Sequence, residues 1–182
     1  TGAEIVTAVQ RIVSRTTNPI EAVVISVTQF HAGTNMNVIP ETVSIKGTCR
    51  ALGRGMQDTV EARMRQVIAG IASAHGLTAE IIYDRRYPVL VNTPEETVKA
   101  AAAAAIVVGA ENVNTDHPPT MGSEDFAWML QERPGCYIRV GNGEGEDGGC
   151  VVHNPNYDFN DEAALYGASY WAALVEQELS PV

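Results

Sequence analysis

The residue best suited to chemistry is His153, in the run VVHNPNYDFND at 151–161. A neutral imidazole is a good ligand for Zn²⁺ or Mn²⁺, and its second ring nitrogen needs an oxygen partner that the surrounding Asn and Asp side chains can supply. The same surroundings suit an ordinary structural histidine, so local chemistry leaves both readings open. His31 opens an irregular polar loop, a common place for functional groups. His117 precedes Pro118-Pro119 in a turn. His75 ends a helical pattern, where the helix dipole favours a cation-capable side chain.

One histidine does not make a catalytic metal site, which usually needs three protein ligands. No H-E-x-x-H or H-x-H spacing occurs, and Glu124-Asp125 is explained by a helix start. G-x-S-x-G is absent. The glycine segment GNGEGEDGG (141–149) lacks the lysine and strand–helix context of a phosphate loop, so it reads as a flexible loop. Arg50 stands on the polar face of an alternating strand. A guanidinium there could take a carboxylate bidentately or serve as a surface charge. Asn37, before Val38-Ile39-Pro40, could donate its amide to a carbonyl or shape a turn.

The elements that must position these groups follow from periodicity. Ile5, Val6, Val9, Ile12 and Val13 repeat at helical spacing over 3–15, and Asn18-Pro19 stops the helix. Residues 22–30 read as a strand, with Val23, Ile25 and Val27 on one face. Residues 42–51 alternate: Val43, Ile45, Gly47 and Cys49 against Ser44, Lys46, Thr48 and Arg50. A helix over 57–75 follows, capped by Gly76, and then a strand over 78–87. This order becomes a split βαβ unit once one strand is added before the first helix.

A boundary falls near Leu90 to Thr93. Thr93 as N-cap, Pro94 at the first position and Glu96 in a capping box start a helix that Gly109 ends. Ser123 reads as a second N-cap. Cys136 to Val140 reads as a strand, and Asp161 as the cap of a last helix over 161–178.

The bulk composition narrows the function classes. The chain has 182 residues, 45% of them hydrophobic and 19% charged, which is enough apolar material for a core. Twelve basic against 22 acidic residues give a formal charge of −10, which argues against nonspecific nucleic-acid binding. No run of 18 apolar residues is present to span a membrane. Cys49, Cys136 and Cys150 form no C-x-x-C spacing and read as reduced thiols in a cytoplasmic setting.

Five motifs then coincide in order: GTNMNVIPE (33–41), GTCRA (47–51), TMGSEDFAWML (120–130), CYIRVGNG (136–143) and VHNPNYDFNDEAAL (152–165). Together they resemble the aminoacylase and carboxypeptidase G metallopeptidase family, in its hippurate hydrolase and indole-acetyl-amino-acid hydrolase branch. The resemblance implies an α/β fold. Residues 1–90 would be a ferredoxin-like split βαβ lid and dimerisation domain (α+β) lacking its first strand. Residues 91–182 would be the C-terminal portion of the catalytic domain. It also implies a homodimer through the lid, and hydrolysis of N-acyl amino acids with two divalent metals per subunit (Zn, Mn, Ni or Co).

By resemblance, His153 matches the last metal ligand. Asn37 matches a lid asparagine that contacts the substrate or its oxyanion, and Arg50 an arginine that grips the substrate carboxylate. His31 matches a substrate contact more loosely. The family's other metal ligands, its general-base glutamate and a lid histidine fall in sequence preceding residue 1. The expectation is therefore a piece of a longer hydrolase, with little or no activity of its own. The competing reading is a noncatalytic ferredoxin-like module for dimerisation or small-molecule binding.

Overall fold

The computed structural model describes residues 1–53, 55–144 and 149–179. Residues 145–148, within the glycine segment read as a loop, lie outside them. The fold is α/β: a small antiparallel sheet and several helices. Packing divides the chain into two compact units, one of Thr1–Val89 with Thr120–Ser123, the other of Leu90–Pro119 with Glu124–Val182.

The first unit opens with helix α1 (Gly2–Arg11), which continues into one π-helical turn, Ile12–Thr16. Its apolar stripe buries Ile5, Val9 and Ile12 against the sheet. Strands β1 (Val23–Ala32) and β2 (Val43–Ala51) form an antiparallel hairpin in which Val23 faces Ala51 and Ala32 faces Val43. A bulge at Thr28 shifts the alternation by one residue. Before it, Val23 and Ile25 face the core; after it, Phe30 takes that side opposite Ile45. Gly47 lies beside the bulge, and a Cβ there would collide with the Ser26 carbonyl.

Helix α2 (Met56–Ala74) covers the same sheet face, with Val60 fully buried and Met64, Val67, Ile68 and Ile71 packed around it. It ends in a Schellman motif. Gly76 adopts φ +70°, its N–H donates to the Ser73 carbonyl, and the Leu77 N–H donates to Ala72.

The strand expected over 78–87 is not formed. A strand needs a ladder partner, and this segment has none among the described residues; side chains of α2 hold it instead. Arg65 Nη1 donates to the Ile81 carbonyl at 3.0 Å and Gln57 Nε2 to that of Tyr87 at 3.4 Å. Arg85 pairs with Asp58 at 2.6 Å and Glu61 at 2.7 Å. Hydrogen bonds from Arg65 and then Arg85 hold the Glu61 carboxyl below its ordinary range.

The second unit is built on α3 (Pro94–Val108) and α5 (Glu162–Glu178), with the short α4 (Phe126–Glu132) between them in sequence. Ala100 and Ala103 leave room for the buried Tyr170 ring, and Cys136, Ile138 and Leu174 pack around the three. Residues 136–140 also form no strand. The Asn92 side chain stands in for a ladder: its Nδ2 donates to the Tyr137 carbonyl at 2.9 Å and its Oδ1 accepts the Tyr137 N–H at 2.8 Å.

Three caps differ from expectation. Thr93 does occupy the N-cap position of α3, with Pro94 at the first turn, but its hydroxyl accepts the Gly135 N–H at 3.1 Å, and Glu96 pairs with Lys99, so no capping box closes. Ser123 is not an N-cap, since α4 begins three residues later. Asp161 makes no side-chain cap; Asn160 Oδ1 accepts the Glu162 N–H at 3.0 Å in its place.

Candidate functional site

His153 belongs to the second unit and lies on an exposed turn. The Asn154 N–H donates to the Val151 carbonyl at 3.3 Å, and His153, third residue of that turn, has φ +71°. Among the described residues it is the sole non-glycine residue with positive φ. A type II turn wants glycine or asparagine at this position, because a Cβ is disfavoured there. The sequence places an imidazole where the backbone would favour glycine. Histidine is, with Asn and Asp, one of the non-glycine residues that most often accept this conformation, at a modest backbone cost.

The turn is fixed on its C-terminal side. Asn154 Oδ1 accepts the Asn156 N–H at 2.9 Å, and the Asn154 carbonyl accepts the Tyr157 N–H at 2.9 Å. Asn142 then clasps the end of the segment. Its Nδ2 donates to the Asp158 carbonyl at 3.0 Å and its Oδ1 accepts the Asn160 N–H at 3.0 Å. Asn160 in turn caps α5, so His153 stands on a loop whose base is tied to a helix. Sequence reasoning missed Asn142, which was hidden in a glycine-rich segment. The local signal was a lone amide flanked by glycines.

Asn142→Asp keeps the acceptor for Asn160 but turns a carboxylate oxygen toward the Asp158 carbonyl. The expected cost is about 1–3 kcal/mol, read as a lower urea midpoint. An unchanged midpoint would show that the clasp contributes nothing.

In the first unit, Arg50 lies near the far end of β2 from the hairpin loop. Its Nη1 donates to the Met121 carbonyl at 2.5 Å and to Ser123 Oγ at 3.3 Å. No carboxylate lies within ion-pair distance of it among the described residues. His31, expected in a loop, is in β1 opposite Ser44, because pairing continues to Ala32 and the loop starts at Gly33 with φ +71°. His31 and Arg50 thus share the polar sheet face with Lys46 and Thr48. The six steps along β2 from Ser44, the partner of His31, to Arg50 put their backbones about 20 Å apart.

Asn37 is exposed at the hairpin tip, in a turn where the Val38 N–H donates to the Asn35 carbonyl at 3.3 Å. Met36 and Ile39 beside it are almost fully exposed. No hydrogen bond joins Asn37 to Arg50 or His31 among the described residues.

Glu124 hydrogen-bonds Tyr137, and burial followed by that contact raises the Tyr137 hydroxyl above its ordinary range. Among the described residues no group of three or more His, Cys, Asp or Glu comes close enough to hold a metal ion. The donor set present does not by itself make a metal centre. No helix among them is long and apolar enough to cross a membrane.

Comparison with known proteins places these features. A sequence model of peptidase family M20/M25/M40 matches residues 4–177. The chain is 32% identical over 177 residues to thermostable carboxypeptidase 2 of Saccharolobus solfataricus, covering 94% of this chain and 43% of that protein. It is 32% identical over 170 residues to the hippurate hydrolase of Campylobacter jejuni, covering 93% of this chain and 43% of the relative. The crystal structure of the Bacillus subtilis YXEP protein, described as a dinuclear metal binding peptidase of the M20 family, superposes with a TM-score of 0.71 at 29% identity. That match covers 99% of this chain and 45% of the other. The chain spans less than half the length of the relatives it matches.

Proposed function

Because the chain belongs to peptidase family M20/M25/M40, we propose that it is part of a longer metal-dependent amidohydrolase that cleaves the amide bond of N-acyl amino acids of the hippurate type. In this reading, residues 1–90 are a lid and dimerisation domain that awaits its first strand, and residues 91–182 are the C-terminal portion of the catalytic domain. The free edges of the two-stranded sheet and the unpaired 78–87 segment support the first assignment. The observation that carries the proposal is the left-handed His153 turn, an imidazole held at a backbone cost in an exposed, anchored loop.

Each candidate residue then has a task. Arg50 takes the carboxylate of the amino acid. Asn37 donates its amide N–H to the scissile carbonyl oxygen as negative charge builds on it. His31, on the same polar sheet face, is a looser substrate contact. His153 supplies one of the ligands for a pair of divalent ions (Zn, Mn, Ni or Co). The described residues of this chain do not form that centre by themselves. The net reaction adds water across the amide: the C–N bond breaks, the acyl carbon gains the hydroxyl, and the amine gains the proton. The proposed assembly is a homodimer through the lid, in the cytoplasm.

The test is hydrolysis of N-benzoylglycine by the longer protein with the upstream segment restored. Activity that disappears on chelation and returns with a divalent ion is expected. Chelator-insensitive turnover, or none with any N-acyl amino acid, would overturn the assignment.

A further inference from the structure

We propose that Ser123, with the Met121 carbonyl, is a positioning residue that aims Arg50 at the substrate carboxylate and so sets the preference for a free carboxylate over an amide. The proposal rests on the reading of Arg50 given above. Arg50 Nη1 carries two N–H groups, and the two acceptors, the Met121 carbonyl at 2.5 Å and Ser123 Oγ at 3.3 Å, take both. A guanidinium is planar and rigid, so fixing one nitrogen fixes the direction of the others. What remains is the Nε–Nη2 edge, whose parallel N–H groups form the fork that matches a carboxylate bidentately. No described residue bonds to that edge. The charge is therefore held in place by a neutral hydroxyl and a backbone carbonyl, and is left uncompensated for an incoming anion.

The tether spans 73 residues of sequence and comes from the same compact unit as Arg50. A purely structural tie of residues 120–123 to the sheet would need no particular orientation of the rest of the guanidinium. A positioning role would. The two are separated by substrate chemistry, because only positioning depends on whether the substrate carries a carboxylate.

In the longer protein, kcat/KM is measured for N-benzoylglycine and for N-benzoylglycinamide. Ser123→Ala is expected to lower the ratio of the two about ten-fold, through KM, the loss typical of one hydrogen bond to a charged group; Ser123→Thr restores it. An equal ratio in S123A and the parent overturns the proposal. If Arg50→Ala leaves the parent's ratio unchanged, the carboxylate is not bound at Arg50 and both this inference and that assignment fall. The tether is also read without turnover. In the 182-residue chain, NMR of the Arg50 guanidinium should show hindered rotation that S123A releases, and free rotation in the parent rejects the tether.

Discussion

Replacing His153 in the longer protein by either alanine or glycine should cut N-benzoylglycine hydrolysis by about 10³-fold or more, a loss of several kcal/mol of the stabilisation a metal centre gives. The two variants should part company in stability. At φ +71° a Cβ costs roughly 1 kcal/mol. Alanine keeps that cost, whereas glycine removes it. His153→Gly should therefore melt at or above the parent temperature while being as inactive as His153→Ala. The pairing separates the imidazole from the backbone that presents it. An active H153G protein would sink the ligand assignment. An inactive and strongly destabilised H153G protein would show that the imidazole is structural.

His153 also shows what the sequence could and could not disclose. The donor-rich run around it was readable, as were the apolar stripes of α1 and α2 and the alternation of β2. These are local patterns with a fixed period. The left-handed turn was not readable, because the usual sign of positive φ is a glycine, and this position holds a histidine. The side-chain cap hydrogen bonds failed to form for a different reason, although Thr93 and Asp161 do hold the N-cap positions of α3 and α5. Thr93 and Ser123 have the right chemistry to cap a helix, but each hydroxyl found a partner far away in sequence, at Gly135 and Arg50. A local rule cannot weigh a competitor that only the fold brings near.

Segments 78–87 and 136–140 failed in a third way. Their composition suits strands, yet a strand is a property of two segments. Asn92 and the arginines of α2 satisfy part of that backbone with side chains, and this sufficed to hold both segments without a sheet. Asn142 was overlooked for the related reason that its partners, Asp158 and Asn160, lie 16 and 18 residues away.

Restoring the upstream segment should stabilise the chain far more than any single substitution. The chain alone leaves large apolar side chains in water on and beside its helices: Val98 and Ile106 of α3, Leu165, Trp171 and Val175 of α5, and Leu179 just past its end are each more than half exposed. Covering six such side chains is worth about 1–1.5 kcal/mol each, since part of their surface is already buried, for a total of roughly 6–9 kcal/mol. A strand laid between β2 and 78–87 would further replace side-chain ties by a ladder. The longer protein should therefore unfold at a much higher urea concentration, and the amides of 78–87 should pass from rapid to slow hydrogen exchange. The 182-residue chain, with its open sheet edges, should bind hydrophobic dye and associate as its concentration rises. The two effects are separable: exchange at 78–87 reports the strand, and dye binding reports the faces of α3 and α5. A 182-residue chain with the same urea midpoint as the longer protein, and slow exchange at 78–87 already in place, would mean that the piece is a finished fold and that its apolar helix surfaces serve another partner.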